Sequence, residues 1–171
     1  KRQRSGCGKT TLLSVLLNLL PADSGEIHGF QKPSAVFQED RLLPYLTAAK
    51  NISVAAGCTE TAAEKALLQV GFDPEDLKKN AVQLSGGMAR RCALARAFLF
   101  GGAIFLMDEP FSGLDYGIRM EMVDMLLSIW RREKPGVLFV THEIDEALTV
   151  ATRIAILSDR PASVCHSLSL I

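Results

Sequence analysis

Three unbroken apolar runs constrain the fold of this chain most: Ala103 to Met107, Val137 to Val140 and Ile154 to Leu157, each separated from the next by a helical stretch. A strand that is apolar on both faces must be covered on both faces. In a chain that alternates strands with helices, this implies a parallel sheet between helical layers. The expected fold class is therefore α/β, and 171 residues suit one domain with a proper core.

Ligands of such sheets bind beyond the carboxyl ends of the strands. Ile104-Phe105-Leu106-Met107 runs into Asp108-Glu109-Pro110, and Val137 to Val140 runs into Thr141-His142-Glu143. Asp108 would hold Mg²⁺ through water, and Glu109 would be the general base that polarises an attacking water. His142 is a candidate contact for a terminal phosphate. Taken singly, each has a plainer reading: two solvated acids at a strand end, and a solvated or capping histidine.

Ser5-Gly6-Cys7-Gly8-Lys9-Thr10-Thr11 fits most of the phosphate-binding loop pattern, with Gln3 in place of its first glycine. In that pattern backbone N–H groups and a helix N-terminus wrap phosphate oxygens. Lys9 would neutralise the β- and γ-phosphates, and the Thr10 hydroxyl would ligate Mg²⁺. The competing reading is an ordinary glycine turn ahead of a helix.

A second candidate anion site is Leu84-Ser85-Gly86-Gly87-Met88, which leads into Ala89 to Ala97. Ser85 reads as an N-cap, and the helix behind it opens with exposed N–H groups. A capped helix explains Ser85 but not Gly86 and Gly87, since each glycine inside a helix costs roughly 1 kcal/mol relative to alanine. Close approach of a phosphate would explain both.

Elsewhere, Thr10 to Leu20 reads as a helix buried in a sheet domain and stopped by Pro21, followed by strands at Glu26 to Phe30 and Ser34 to Phe37. From Gln38 to about Ala97 the chain reads as a mostly helical insert. Within it lie a helix from Thr61 to Val70 and a short one from Asp73-Pro74 to about Lys79.

With 19 basic and 19 acidic residues the formal charge is zero, so no long-range field draws the chain to nucleic acid or an anionic membrane. Cys7, Cys58, Cys92 and Cys165 form no CxxC pair and have no histidine at metal-ligand spacing. This argues against a zinc site and against a disulfide framework. The longest apolar run, Leu12 to Leu20, is too short to span a bilayer.

These residues, in this order, resemble the nucleotide-binding subunits of ABC transporters. Ser5 to Thr11 looks like Walker A, Gln38 like the Q-loop residue, Leu84 to Met88 like the signature and Asp108-Glu109 like Walker B. Ser112 to Asp115 looks like the D-loop, and His142 like the switch histidine. Gln38-Glu39-Asp40-Arg41-Leu42-Leu43-Pro44, with Met88 after the signature, is most similar to importers of the nitrate, sulfonate and taurine group.

The resemblance implies a P-loop NTPase core over residues 1–171 with an inserted helical subdomain over about 39–97. It implies ATP and Mg²⁺ as ligands, with Thr10, Gln38 and Asp108 around the metal. ATP would be held by Ser5, Gly6, Cys7, Gly8, Lys9, Thr10, Thr11, Gln38 and Asp108 of one subunit and by Ser85, Gly86 and Gly87 of a head-to-tail partner. It further implies transmembrane permease subunits docked on the helical insert, an indirect link to a solute-binding protein, no nucleic acid, and a peripheral place on the cytoplasmic face of the cell membrane.

Two small departures from the family are Gly113, where alanine is usual, and Ala89-Arg90-Arg91, where an Arg-Gln-Arg run is common. A larger one is that the family's N-terminal strands are absent. One of them lies between the strands at Val137 to Val140 and Ile154 to Leu157, so the expectation is that this stretch alone folds poorly or binds ATP weakly. The rival readings are a soluble ABC-type ATPase clamp and an inactive truncated remnant.

Overall fold

A computed structural model of the protein describes residues 8–29, 32–158 and 162–170. Helix α1 (Lys9–Leu16) leads through an irregular stretch to strand β1 (Pro33–Val36). Helices α2 (Ala48–Ala56) and α3 (Glu60–Gln69) follow, then two 3₁₀ turns (Pro74–Lys78 and Ala81–Gln83) and α4 (Gly86–Phe100). Strand β2 (Ile104–Asp108), α5 (Tyr116–Glu133), β3 (Gly136–Val140), α6 (Ile144–Val150), β4 (Arg153–Leu157) and β5 (Val164–Ser169) complete the described chain.

Of the apolar runs, Ala103 to Met107 gives the buried central strand β2 and Val137 to Val140 gives β3, and with β1 they form a parallel sheet in the order β1-β2-β3. Among the described residues β3 is an edge strand, exposed at Gly136 and Val137 and half-buried beyond, so the expectation that it is covered on both faces is corrected. Ala35 pairs with Leu106, Leu106 with Leu138, and Asp108 with Val140. That last pairing sets the ends of β2 and β3 side by side and so brings Asp108 and His142 to one edge. Gly102, just ahead of β2, is needed for this: a Cβ there would lie 2.6 Å from the Lys32 carbonyl oxygen and 3.0 Å from the Ser34 nitrogen.

Helix boundaries follow local chemistry. Side chains of Thr47, Thr59 and Ser85 each accept a hydrogen bond from the backbone N–H three residues on, capping α2, α3 and α4. Gly57 closes α2 in the left-handed region. Helix α5 buries Met122, Val123, Leu126 and Ile129 along one stripe. The core joins these to Ile52, Leu67, Leu94, Phe105, Met107 and Phe111, all nearly or fully buried.

Several expectations need correction. Ile154 to Leu157 does form a strand, but β4 pairs antiparallel with β5 and is exposed to half-buried where a buried strand of a parallel sheet is expected. Just past β4, the Ser158 N–H donates to the Ser163 carbonyl at 2.8 Å and the Ser163 N–H to the Ser158 hydroxyl at 3.0 Å, so the pairing is local in sequence. Residues 26–29 form no strand, and Phe30 lies outside the described residues. Helix α1 ends at Leu16, where Asn18 turns into the left-handed region, so Pro21 is not what stops it. It buries Leu13 alone, while Leu12, Leu19 and Leu20 are exposed. The segment after Asp73 is 3₁₀ and not α, and Asp73 makes no side-chain cap. Among the described residues no helix is long and apolar enough to cross a membrane.

Candidate functional site

Ser5, Gly6 and Cys7 lie outside the described residues. Gly8 opens α1 with φ 103°, and its carbonyl accepts from the Leu12 N–H at 2.8 Å. Lys9, Thr10 and Thr11 form the first turn, and α1 packs on β2. This brings the exposed Thr10 to the buried end of β2, where its Oγ1 donates to Asp108 Oδ2 at 2.5 Å. Asp108 is only 3% exposed. A carboxylate so buried is stable only with compensating donors or a cation.

The chain turns sharply after Asp108. Glu109 has φ 48°, a left-handed conformation that costs a non-glycine residue about 1–2 kcal/mol. Two hydrogen bonds hold it there: the Glu109 N–H donates to the Val140 carbonyl at 2.8 Å, and the Ser112 N–H to the Glu109 carbonyl at 3.1 Å. The turn aims the Glu109 side chain at His142, with Oε1 3.1 Å from Nδ1. Glu143 Oε1 is 3.3 Å from the other ring nitrogen. Glu109 and His142 line one cleft together with Ser112, Gly113 and Thr141.

The cleft wall contains a network that the sequence reading missed. Glu146, 7% exposed, accepts from the Thr141 hydroxyl at 2.7 Å and lies 3.5 Å from the Arg119 guanidinium. Thr141 Oγ1 in turn accepts the Glu143 N–H at 3.0 Å, and Arg119 donates to the Leu114 carbonyl at 3.2 Å. The loop carrying His142 is thereby tied to Ser112–Asp115. No local pattern announces this, because Arg119 and Glu146 are far apart in the chain and meet only across packed elements.

Gln38 and Ser85–Gly87 do not line this cleft. Gln38 is exposed beyond β1, while its carbonyl accepts from Arg90 at 2.7 Å. Ser85 caps α4 through the Met88 N–H at 3.3 Å. A Cβ at Gly86 or Gly87 would meet nothing within 4 Å, and neither residue has positive φ. Among the described residues nothing therefore requires glycine at either position.

Burial raises the Asp40 carboxyl above its usual range, although Arg90 and Arg96 pull the other way, and it lowers Arg96. Burial also pushes the Cys92 thiol to about 12, against one face of α2 where Sγ donates to the Ala48 carbonyl at 3.7 Å. Cys92 is thus an inert core residue, and Cys58 and Cys165 are unpaired too.

Among the described residues no group of three or more His, Cys, Asp or Glu could hold a metal ion. The Thr10 hydroxyl beside the Asp108 carboxylate is instead an all-oxygen donor pair. It suits Mg²⁺, a hard cation that takes few protein ligands and completes its shell with water and substrate phosphates.

Residues 4–112 match the sequence profile of the ABC transporter family. The chain is 44% identical over 167 residues to the aliphatic sulfonates import ATP-binding protein SsuB 2 of Paraburkholderia xenovorans, covering 95% of this chain and 66% of that protein. It is 45% identical over 157 residues to SsuB 3 of the same organism, covering 90% and 62%. The chain therefore spans less than two thirds of the length of these relatives. Its fold matches the ATP-binding cassette MJ0796, solved as a dimer in a post-hydrolysis state bound to ADP and Pi. That match has a TM-score of 0.88 and 26% identity, covering 98% of this chain and 83% of the other.

Proposed function

Because the chain belongs to the ABC transporter family, we propose that it is the nucleotide-hydrolysing part of an ATP-binding subunit that energises solute import, with sulfonates or similar small oxyanions as the solute class. The observation that carries this reading is the convergence at one sheet edge of Thr10 on Asp108 (2.5 Å) and Glu109 on His142 (3.1 Å). The sulfonate assignment draws on what the relatives' names say of them.

In this reading the Gly8 helix start and Lys9 hold the β- and γ-phosphates, with Ser5, Gly6, Cys7 and Thr11 in the same loop. Thr10, Asp108 and Gln38 hold Mg²⁺, which supplies charge neutralisation on the phosphate oxygens when bound. Glu109 Oε accepts the proton of a water as its oxygen bonds to the γ-phosphorus. The bond to the bridging oxygen breaks, and ADP leaves with inorganic phosphate. His142 contacts the γ-phosphate and, through Nδ1, keeps Glu109 aimed. The left-handed turn at Glu109 is local strain held by the two backbone hydrogen bonds that fix the base.

Gly86 and Gly87, free of any internal requirement for glycine, are best explained by an anionic ligand approaching from outside the chain. A second, head-to-tail copy would place its Ser85–Gly87 over the nucleotide of the first. Transmembrane permease subunits are the remaining partners, which places the subunit at the cytoplasmic face of the membrane.

The test is Glu109→Gln in the intact subunit assembled with its permease. Nucleotide binding should persist while ATP turnover falls by about 10²- to 10⁴-fold, the usual worth of a general base. Turnover retained at the wild-type rate would refute the assignment.

A further inference from the structure

The loop at residues 37–41 is held by its main chain in a way neither the sequence nor the proposed chemistry requires. Arg90 donates through Nη1 to the Phe37 carbonyl at 2.6 Å and through Nη2 to the Gln38 carbonyl at 2.7 Å. Arg96 donates to the Asp40 carbonyl at 2.8 Å and to the Arg41 carbonyl at 2.9 Å. Two guanidinium forks on one helix, spaced about 9 Å along its axis at 1.5 Å per residue, thus engage four of five consecutive carbonyls. Arg41, at φ 47°, stacks its own guanidinium 3.7 Å from the Phe37 ring centre and closes the loop on itself.

Packing alone does not account for this. The Arg90 side chain is 6% exposed and is also ion-paired with Asp40, Nη1 to Oδ1 at 3.2 Å. A buried cation held by one carboxylate and two carbonyls gains little stability over an apolar side chain of similar size, because its desolvation offsets the attraction. What it does gain is direction, because a rigid planar fork holds two acceptors in one plane at fixed spacing, which the freely rotating single nitrogen of an ammonium does not. The bonds fall on carbonyls, so they set the path of the main chain and leave the exposed Gln38 side chain for a ligand. Arg90 is also one of the places where this chain departs from the family's common run.

We propose that Arg90 and Arg96 are positioning residues that lock loop 37–41 to α4, so that Gln38 and the Ser85–Gly87 helix start move as one body. Building on the function proposed above, the clamp holds the residue facing one nucleotide and the helix start facing the other in fixed register. Formation of one site is thereby coupled to the other. Neither arginine touches a reacting atom.

The test uses the intact subunit in its transporter complex. Arg90→Met keeps the apolar stem and removes every donor, whereas Arg90→Lys keeps the charge and donors on a single nitrogen but loses the planar fork. The turnover number should fall about tenfold or more in the methionine variant and less in the lysine variant, and the Hill coefficient for ATP should drop toward one. KM and nucleotide binding should stay within about twofold. Amide hydrogen exchange at residues 38–41 should accelerate in both variants. A methionine variant with wild-type turnover per folded molecule and wild-type exchange would overturn the proposal. If that variant does not fold, a lysine variant with wild-type turnover and exchange overturns it equally. Glu109→Gln is run alongside: if it still hydrolyses ATP, the functional reading fails, while faster exchange in the Arg90 variants would still establish the clamp.

Discussion

Asn51 offers a sharp test of how the loop behind Gln38 is held. It is 3% exposed on α2, and its Oδ1 accepts from the Leu43 N–H at 2.6 Å. Its Nδ2 lies 3.1–3.2 Å from the carbonyls of Leu43, Leu46 and Thr47. Asn51→Ala does not orphan all four groups. The Leu43 carbonyl keeps the Leu46 N–H, Leu46 keeps Ala81, and Thr47 keeps the Asn51 N–H. Only the Leu43 N–H loses its sole bond, so the loss is about 2–3 kcal/mol, one unpaired donor plus weakened acceptors. Asn51→Asp keeps an acceptor for Leu43 but turns a buried carboxylate toward three carbonyl oxygens, which should cost about 3–5 kcal/mol at neutral pH. Burial favours the protonated form of that carboxyl, so the aspartate variant should gain stability relative to the alanine variant as pH falls. Urea melts of the intact subunit at neutral and mildly acidic pH measure both orderings. An aspartate variant as stable as the alanine variant at neutral pH would refute the account of the loop.

Two further outcomes are expected. The Cys92 thiol is raised in the fold to about 12 from an ordinary 9.0, so the unfolded chain ionises first and stability present below pH 9 is lost as pH rises toward 12. The slope should be about 1 kcal/mol per pH unit, visible in alkaline melts and reduced by Cys92→Ala. Thr10→Val removes the hydroxyl that meets Asp108 at nearly constant volume. It should raise the Mg²⁺ concentration needed for half-maximal turnover at least about tenfold, whereas Thr10→Ser should stay near wild type.

Much of this protein was written locally. The apolar run ending at Met107 became the buried central strand β2, as a run apolar on both faces should, whereas the equally apolar Val137 to Val140 became an edge strand left half-exposed. Ser85 caps the N–H three residues on with its hydroxyl and Gly57 adopts the left-handed φ itself, so both fix helix ends within a single turn of chain. The placement of Asp108, Glu109 and His142 was legible for a related reason: polar residues at or just past the end of a strand lie at the carboxyl edge of its sheet.

Tertiary packing alone decided the rest. The run at Ile154 to Leu157 is as apolar as the other two, yet its partner is β5, since composition sets that a strand forms and not which edge it joins. The left-handed turn at Glu109, the Arg119–Glu146 tie and the Arg90–Arg96 clamp each depend on groups distant in sequence that meet only once the sheet has closed. Local sequence chooses conformations through short-range sterics and hydrogen bonds. The long-range pairings that aim the chemistry exist only where several such choices are satisfied together.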